Sequence, residues 1–246
     1  MRFAVIADIH GNHLALMAVL ADIEAQGLTE IVNLGDFFSG PLEAGKVAEL
    51  LLTAPMVSVR GNHDRYLIDR DFAAMHVSDS FAYRQLSATH LDWIRALPVR
   101  RIYREEVFLC HAMPDDDNAY WLEQVSADGR VSLKPIEAIE ALAEGVTQPL
   151  MLCSHSHVPR MVRLRDGRLI VNPGSVGCPA FDDELPYYHK VEAGHPFASY
   201  AVLAKTAAGW QASFRQVSYE HGKMAALAAA NGRQDWASGL ATGWLR

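Results

Sequence analysis

The sequence predicts an α/β fold, and three observations support this class. Short apolar runs rich in β-branched residues recur along the chain and end abruptly in polar residues. Helical patterns separate the early runs, and the order β-α-β-α-β implies parallel strands joined by right-handed crossovers. The second half instead carries hairpin signals, which are typical of antiparallel strands. We therefore expect a mixed sheet, or two packed sheets, flanked by helices.

Six apolar runs are candidates for the central strands. They cover residues 3–10, 30–36, 56–64, 107–112, 150–157 and 169–175. Continuous apolar runs of this length, without strict alternation, are typical of strands that are buried on both faces. Each run carries Asp, Asn, His or Ser at or next to its last residue, so polar side chains are expected at the strand ends.

Helices are predicted between the early strands. Residues 13–26 place apolar side chains at helical spacing, and Gly27 is a stop signal. Residues 41–53 begin with Pro41, a residue favoured in the first helical turn. Residues 64–97 read as mostly helical, up to Pro98.

The second half of the chain predicts antiparallel hairpins and two closing helices. The strand pairs are expected within 99–111, within 161–172 around Asp166-Gly167, and within 199–217 around Ala208-Gly209; the helices are expected at 219–230 and 234–245. No internal repeat, low-complexity tract or long linker interrupts the chain. We therefore expect one domain spanning residues 1–246.

Composition restricts the classes of partner. The hydrophobic content of 50% is sufficient for a sizeable core, and the formal net charge is −7. This charge does not favour extended nucleic acids or anionic membranes as partners. No apolar run is long enough to span a membrane, and the N-terminal run is too short for a signal peptide. Three scattered cysteines do not suit a disulfide framework, so we expect reduced thiols and a cytoplasmic location.

The polar residues at the predicted strand ends form the candidate site. They are Asp8, His10, Asp36, Asn62, His63, Asp64, His111, His155 and His157. Ligands of open α/β sheets bind at the carboxyl ends of the strands, so these side chains are expected to converge. Cys153 precedes the last two histidines, and we expect it to be buried outside the site.

The donor atoms of this set indicate a metal site with more than one ion. Nitrogen and oxygen donors suit Zn, Mn, Fe or Ni. They do not match a structural zinc site that is rich in thiolates. Seven or more candidate ligands exceed what one tetrahedral ion needs. Two dications about 3.5–4 Å apart would repel one another by roughly 20 kcal/mol, so a bridging carboxylate and hydroxide are expected between them. Such a hydroxide is a nucleophile for phosphoryl displacement.

These blocks resemble those of calcineurin-like metallophosphoesterases. The matching blocks are Asp8-Ile9-His10, Gly35-Asp36, Gly61-Asn62-His63-Asp64, His111 and His155-Ser156-His157, in the family's order. Residues 172–177, NPGSVG, resemble a loop of its small prokaryotic members. The combination of five ordered blocks is specific, although any one block alone is weak. The resemblance implies a four-layer α/β/β/α sandwich, with two mixed β-sheets flanked by helices, and a dinuclear metal centre.

The resemblance also implies roles for individual residues: two groups of three ligands, one bridging carboxylate and one catalytic pair. Asp8, His10 and His157 would hold one ion, Asn62, His111 and His155 the other, and Asp36 would bridge them. His63, which with Asn62 would contact the substrate, would bind the phosphate or protonate the leaving oxygen. Asp64 would orient His63. Manganese is the expected metal, with Fe, Zn, Ni or Co as alternatives.

The implied activity is hydrolysis of a small phosphodiester, nucleotide or dinucleoside polyphosphate. A phosphoprotein phosphatase is one alternative, but that branch of the family has an Asp and an Arg soon after Gly-Asp, and residues 35–41, GDFFSGP, contain neither. A non-catalytic protein-binding scaffold is another alternative, which the intact His63-Asp64 pair disfavours. The roles of the loops 113–123 and 181–190 stay open. Asp115, Asp116 and Asp117 favour a solvated acidic loop at 113–123, although Tyr120 and Trp121 are aromatic stacking candidates, and 181–190 is a candidate second wall of the site.

Overall fold

A computed structural model describes all residues of the chain, 1–246. It contains fourteen β-strands and eight α-helices. The strands are β1 (Arg2–Ile6), β2 (Ile31–Asn33), β3 (Val57–Ser58), β4 (Arg100–Tyr103), β5 (Val107–Cys110), β6 (Glu123–Val125), β7 (Val131–Leu133), β8 (Leu150–Leu152), β9 (Arg160–Arg163), β10 (Leu169–Asn172), β11 (Ala180–Asp183), β12 (His189–Glu192), β13 (Ala198–Thr206) and β14 (Gly209–Val217). The helices are α1 (His13–Ala25), α2 (Ala44–Thr53), α3 (Asn62–Asp69), α4 (Val77–Tyr83), α5 (Ala88–Ala96), α6 (Ile136–Leu142), α7 (His221–Ala230) and α8 (Gln234–Thr242).

Two five-stranded sheets form the centre of the molecule. The first has the order β14-β13-β1-β2-β3, in which β1, β2 and β3 are parallel and β13 is antiparallel to both of its neighbours. The second has the order β4-β5-β8-β10-β9, with β5, β8 and β10 parallel and both edge strands antiparallel. Both sheets are therefore mixed, as predicted.

The two sheets pack face to face, with helices on the outside. In β1, Phe3 and Val5 lie in the core between the sheets, whereas Ala4 and Ile6 lie in the core beneath the helices. Side chains of α1 to α5 cover the outer face of the first sheet, and α6 covers that of the second. This alternation gives strands that are buried on both faces, which explains their continuous apolar runs. The predicted α/β/β/α sandwich is confirmed.

Some elements were not predicted. The hairpins β6–β7 and β11–β12 and the helix α6 lie in segments whose patterns gave no signal. Strands of three or four residues are too short to display an alternation, and α6 has no side-chain cap at its N-terminus. The long helical segment 64–97 divides into α3, a 3₁₀ turn at Phe72–Ala74, α4 and α5.

The three cysteines are buried and unpaired. Cys110 and Cys153 lie in the core between the second sheet and α6, so the prediction that Cys153 is buried outside the site is confirmed. None of the helices is long and apolar enough to cross a membrane.

The closing helices α7 and α8 pack against each other and over Leu42. Trp236 of α8 lies against Gly40, where an added Cβ would come within 3.0 Å of the indole ring. The C-terminal helices therefore reach the same edge of the sheets as the predicted site.

Candidate metal centre

The loops that follow β1, β2, β5 and β8, together with the start of α3, carry the predicted ligands to one edge of the two sheets. The residues brought together are Asp8, His10, Asp36, Asn62, His111, His155 and His157. Five of these, all except Asn62 and His111, have left-handed backbone conformations with φ between 50° and 70°. Non-glycine residues rarely adopt this region, and it persists where the surrounding structure enforces it.

Hydrogen bonds from the 172–177 loop hold the Asp8 turn in this conformation. The Ser175 hydroxyl and the Gly177 backbone N–H both donate to the carbonyl oxygen of Asp8, at 2.8 and 3.0 Å. A Cβ at position 177 would lie 1.7 Å from the carbonyl oxygen of Ile9, so only glycine fits there. Asn172 donates to the carbonyl oxygen of Ser154, which couples the loop to the segment that carries the last two histidines.

Asp8, His10 and His157 form the first ligand cluster. The Nε2 atoms of His10 and His157 lie 3.2 Å apart, and Nε2 of His157 lies 3.6 Å from Oδ1 of Asp8. All three side chains are buried or nearly so.

Asp36, His111 and His155 form the second cluster, and Asp36 lies between the two. Its Oδ2 atom is 3.3 Å from Nε2 of His111 and 3.9 Å from Nε2 of His10 in the first cluster. One carboxylate therefore faces donors of both clusters, as a bridging ligand requires. Asn62 also borders the site.

Backbone carbonyls orient the imidazole rings. The Nδ1 atoms of His10, His111 and His157 contact the carbonyl oxygens of Ser39, Leu34 and Cys178 at 2.7 to 2.9 Å. Because a carbonyl only accepts, these Nδ1 atoms carry a proton. Nε2 of His10 and of His157 present a lone pair to the site, and Nε2 of His111 faces the Asp36 carboxylate.

His155 has the opposite orientation. Its Nε2 atom donates to the carbonyl oxygen of Asn118 at 2.9 Å, which leaves Nδ1 as the donor atom for a metal. The 113–123 loop therefore orients a ligand as well as walling the site.

Unpaired buried atoms test whether these residues fit metal ions. Oδ1 of Asp8, Oδ1 of Asn62 and Nε2 of His111 are buried without a hydrogen-bond partner. Leaving a buried polar atom unpaired costs about 1–3 kcal/mol, so three such atoms at one site need a common explanation. Divalent ions bound by nitrogen and oxygen donors would satisfy all three, and the residues fit them.

The ionisation of the histidines also suits metal binding. Burial lowers the pKa of His10 to about 4 and, together with the charge of His111, that of His155 to about 4. Burial and His10 lower the pKa of His157 well below its usual value. These imidazoles are therefore neutral, as metal ligands must be. Burial disfavours the protonated form of His111, but the Asp36 carboxylate outweighs burial and raises the pKa of His111 to about 10. A metal bound there would displace this proton.

His63 lies beside the clusters with a different partner from the predicted one. Its Nδ1 atom is 2.7 Å from Oδ1 of Asp79, a fully buried carboxylate at the start of α4. Burial opposes the charge of His63, but the Asp36 and Asp79 carboxylates outweigh it and raise the pKa to about 9. His63 is therefore cationic at neutral pH in the metal-free protein, which suits a proton donor or a phosphate ligand.

The prediction that Asp64 orients His63 is wrong. Asp64 is fully buried, and its carboxylate accepts hydrogen bonds from the backbone N–H groups of Asp36, Phe37 and Gly61 at 2.7 to 3.0 Å. It is the N3 residue of α3, so its carboxylate satisfies the start of the helix and fixes the Asp36 loop. Its role is structural support of a ligand loop.

A cleft of about 1290 Å³ opens above the clusters. Tyr120, Phe181 and Trp236 line it, and their rings lie 5.2, 4.5 and 6.0 Å from those of His155, His157 and His10, respectively.

The loops 113–123 and 181–190, whose roles the sequence left open, both contribute to the cleft. Trp121 does not, because it is buried in the core beneath α6, so its proposed stacking role is wrong. The Tyr120 hydroxyl is 2.8 Å from Nε2 of His189.

Several supporting residues gave no sequence signal that we recognised. Asp79 lies in a helical segment outside every motif, and only the tertiary structure brings it to His63. Asn172 and Ser175 belonged to a resembling loop, but their contacts with the ligand segments could not be inferred from the chain alone. Trp236 lies in the C-terminal helix, far from the blocks in sequence.

A sandwich of two mixed sheets with nitrogen and oxygen ligands at the strand ends defines a class of metal-dependent phosphoester hydrolases. The family model of the calcineurin-like phosphoesterase superfamily domain matches residues 1–193, and the chain belongs to this family. Members use divalent metal ions, and the two ligand clusters are candidate sites for them.

One solved structure agrees with this assignment, and one further relative is similar in sequence. A metallophosphoesterase from Sphaerobacter thermophilus has a crystal structure that superposes with a TM-score of 0.76, at 27% identity over 99% of this chain and 100% of that one. An uncharacterized protein from Methanocaldococcus jannaschii is 26% identical over 200 residues, covering 72% of this chain and 76% of its own. The similarity to the first structure extends beyond residue 193 and includes the closing helices.

Proposed function

We propose that the protein hydrolyses a small phosphate ester or anhydride at a dinuclear metal centre, with manganese as the first candidate metal. The observation that carries the proposal is the position of Asp36, whose Oδ2 atom lies 3.3 Å from His111 and 3.9 Å from His10. A carboxylate shared between two ligand clusters is what two adjacent dications need to offset their repulsion. Fe, Zn, Ni and Co are the alternative metals, because the donor set suits each of them.

In this proposal the protein side chains position the substrate and move one proton. Bound divalent ions would supply a hydroxide nucleophile and stabilise charge on the phosphate oxygens. The amide of Asn62 and the imidazolium of His63 bind phosphate oxygens at the cleft floor. The proton on Nε2 of His63 passes to the leaving oxygen, while Asp79 holds Nδ1.

The shape and charge of the cleft favour a small substrate. Its volume of about 1290 Å³ suits a nucleotide, a dinucleoside polyphosphate or a compact phosphodiester. The net charge of −7 opposes binding of an extended nucleic acid. Phe37 and Phe38, which follow the bridging residue, are buried in the core, so this segment supplies no cation for a phosphoprotein substrate.

Metal analysis combined with turnover tests the proposal. Protein purified without chelator should contain up to two transition-metal ions per chain and should hydrolyse phosphodiesters or nucleotides after addition of Mn²⁺. Asp36→Asn should reduce both the metal content and the turnover. Asp69→Asn, an exposed change on α3, is the matched control. Wild-type protein that binds no metal and hydrolyses no member of a panel of monoesters, diesters and anhydrides would contradict the proposal.

A further inference from the structure

One face of α3 lines the cleft beyond the metal clusters. His63 and Tyr66 lie at i and i+3 on this face, and Arg70, the extended residue directly after the helix, also borders the cleft. The rings of His63 and Tyr66 meet edge to face with centroids 5.4 Å apart. The guanidinium carbon of Arg70 lies 3.5 Å from the centroid of the Tyr66 ring. The ring of Tyr66 therefore lies between the guanidinium of Arg70 and the imidazole of His63, which is assigned to the scissile phosphate.

Arg70 differs from the arginines around it because no carboxylate neutralises it. Arg65 of α3 makes a bidentate pair with Asp117, and Arg233 across the cleft pairs with Asp235. Arg70 takes part in no ion pair, and its side chain makes no hydrogen bond. The neighbouring Asp69 and Asp71 are both exposed to solvent and do not pair with it.

The stacking on Tyr66 orients Arg70 for an anion. A guanidinium packed face-on against a ring keeps its N–H groups in the plane, at the rim, where they are free to donate. The geometry of these donors matches the oxygens of a phosphate, which accept two parallel hydrogen bonds. Arg70 is stacked on Tyr66, borders the cleft and pairs with no protein carboxylate. Its N–H groups are therefore available to bind a phosphate.

We propose that Arg70 is a specificity-determining residue that binds a second phosphoryl group of the substrate, next to the one that is hydrolysed. The proposal rests on the proposed function, and it narrows the substrate class to phosphoanhydrides such as nucleoside polyphosphates. A simple diester carries no second phosphate and gains nothing from Arg70. Charged hydrogen bonds of this kind change affinity about tenfold to a hundredfold.

Two variants and two substrates separate this role from general damage. Arg70→Gln removes the charge, and Arg84→Gln is the matched control, since Arg84 also stacks on an aromatic ring, Phe72, but lies outside the cleft. With Mn²⁺, Arg70→Gln should lower kcat/KM for a nucleoside triphosphate or a dinucleoside tetraphosphate by about tenfold to a hundredfold. It should leave kcat/KM for bis(p-nitrophenyl) phosphate unchanged, and the control should match wild type on every substrate. Equal losses on both substrate types, or no loss, would overturn the proposal.

A binding measurement keeps the inference separate from the proposed function. Calorimetry on Mn²⁺-loaded protein should show that Arg70→Gln weakens methylenediphosphonate about tenfold or more and leaves methylphosphonate unaffected. If the wild-type protein hydrolysed nothing and this difference in binding remained, the anion site would stand and the proposed function would fail. If hydrolysis were normal and both ligands bound the variant as tightly as wild type, the role of Arg70 would be refuted and the proposed function would stand.

Discussion

Nδ1 of His63 lies 2.7 Å from Oδ1 of Asp79, and the carboxylate of Asp79 is fully buried while the imidazole is about one third exposed. The buried partner fixes the ring so that Nε2 is free to face the cleft. Oδ2 of Asp79 has no hydrogen-bond partner of its own, so the carboxylate depends on this contact. The pair therefore couples α3, which carries His63, to α4, which carries Asp79.

Asp79→Asn should impair turnover without removing the metals. The neutral amide no longer stabilises the imidazolium, so kcat for substrates with poor leaving groups should fall about tenfold or more. His63→Ala should cost more, about 10²–10⁴-fold, because the proton donor itself is lost. Steady-state kinetics and metal analysis of each variant measure the two effects.

The double variant tests whether Asp79 acts through His63. If it does, His63→Ala combined with Asp79→Asn should be about as slow as His63→Ala alone. Asp71→Asn, an exposed change that precedes α4, should behave as wild type. Additive losses in the double variant would show that Asp79 has a separate role, and loss of bound metal in His63→Ala would contradict its assignment as a proton donor.

The candidate ligand set was accessible from the sequence because its residues stand at the ends of recognisable strands. Asp8, Asp36 and His111 directly follow short apolar runs, and parallel strands place such ends at one edge of a sheet. The residues that surround the candidate ligands were not accessible in this way. Asp79 and Trp236 reach the site from helices whose position depends on packing, so no spacing in the chain reveals them. A single domain over residues 1–246 stays a prediction.

Asp64→Ala should destabilise the protein rather than act on the chemistry directly. Its carboxylate accepts three backbone N–H groups, from Asp36, Phe37 and Gly61, and alanine would leave these buried donors unpaired. At about 1–3 kcal/mol for each donor, the free energy of unfolding should fall by about 3 kcal/mol or more. Urea unfolding measures the loss, with Asp69→Ala on the exposed side of the helix as control. Unchanged stability with abolished turnover would favour a catalytic role instead.

Helix geometry explains why Asp64 does not contact the His63 ring. His63 and Asp64 are adjacent in sequence, but side chains at successive helical positions point about 100° apart. The two side chains therefore do not face one another. The partner of His63 had to come from another element. Adjacency in a motif therefore predicted that both residues belong near the site but assigned the wrong contact.

Cys153→Ala should keep the full metal content. Cys153 lies at the end of β8 in the core beneath α6, on the opposite face from the ligands. The substitution removes one buried sulfur atom and should lower the free energy of unfolding by about 1 kcal/mol. His155→Ala, two residues along, should by contrast lose metal. Inductively coupled plasma analysis of the two variants makes the comparison, and metal loss in Cys153→Ala would place the thiol at the site.

Asp22→Asn should lower stability in a pH-dependent way. Arg215 donates two hydrogen bonds to Asp22, at 2.7 and 3.1 Å, and the Tyr200 hydroxyl donates a third at 2.6 Å, which joins α1 to β13 and β14. The hydrogen bonds from Arg215, and then that from Tyr200, lower the pKa of Asp22 although partial burial opposes them. Because the folded-state pKa lies below the unfolded value of about 3.9, the stabilisation is complete above that pH and is lost as the pH falls through the folded-state pKa. Wild type should therefore exceed the variant by about 1–2 kcal/mol at pH 7, and the difference should shrink as the pH falls below about 4. Urea unfolding across this range tests the sign, with Glu24→Gln on the exposed face of α1 as control. A difference that grew on acidification would contradict a lowered pKa for Asp22.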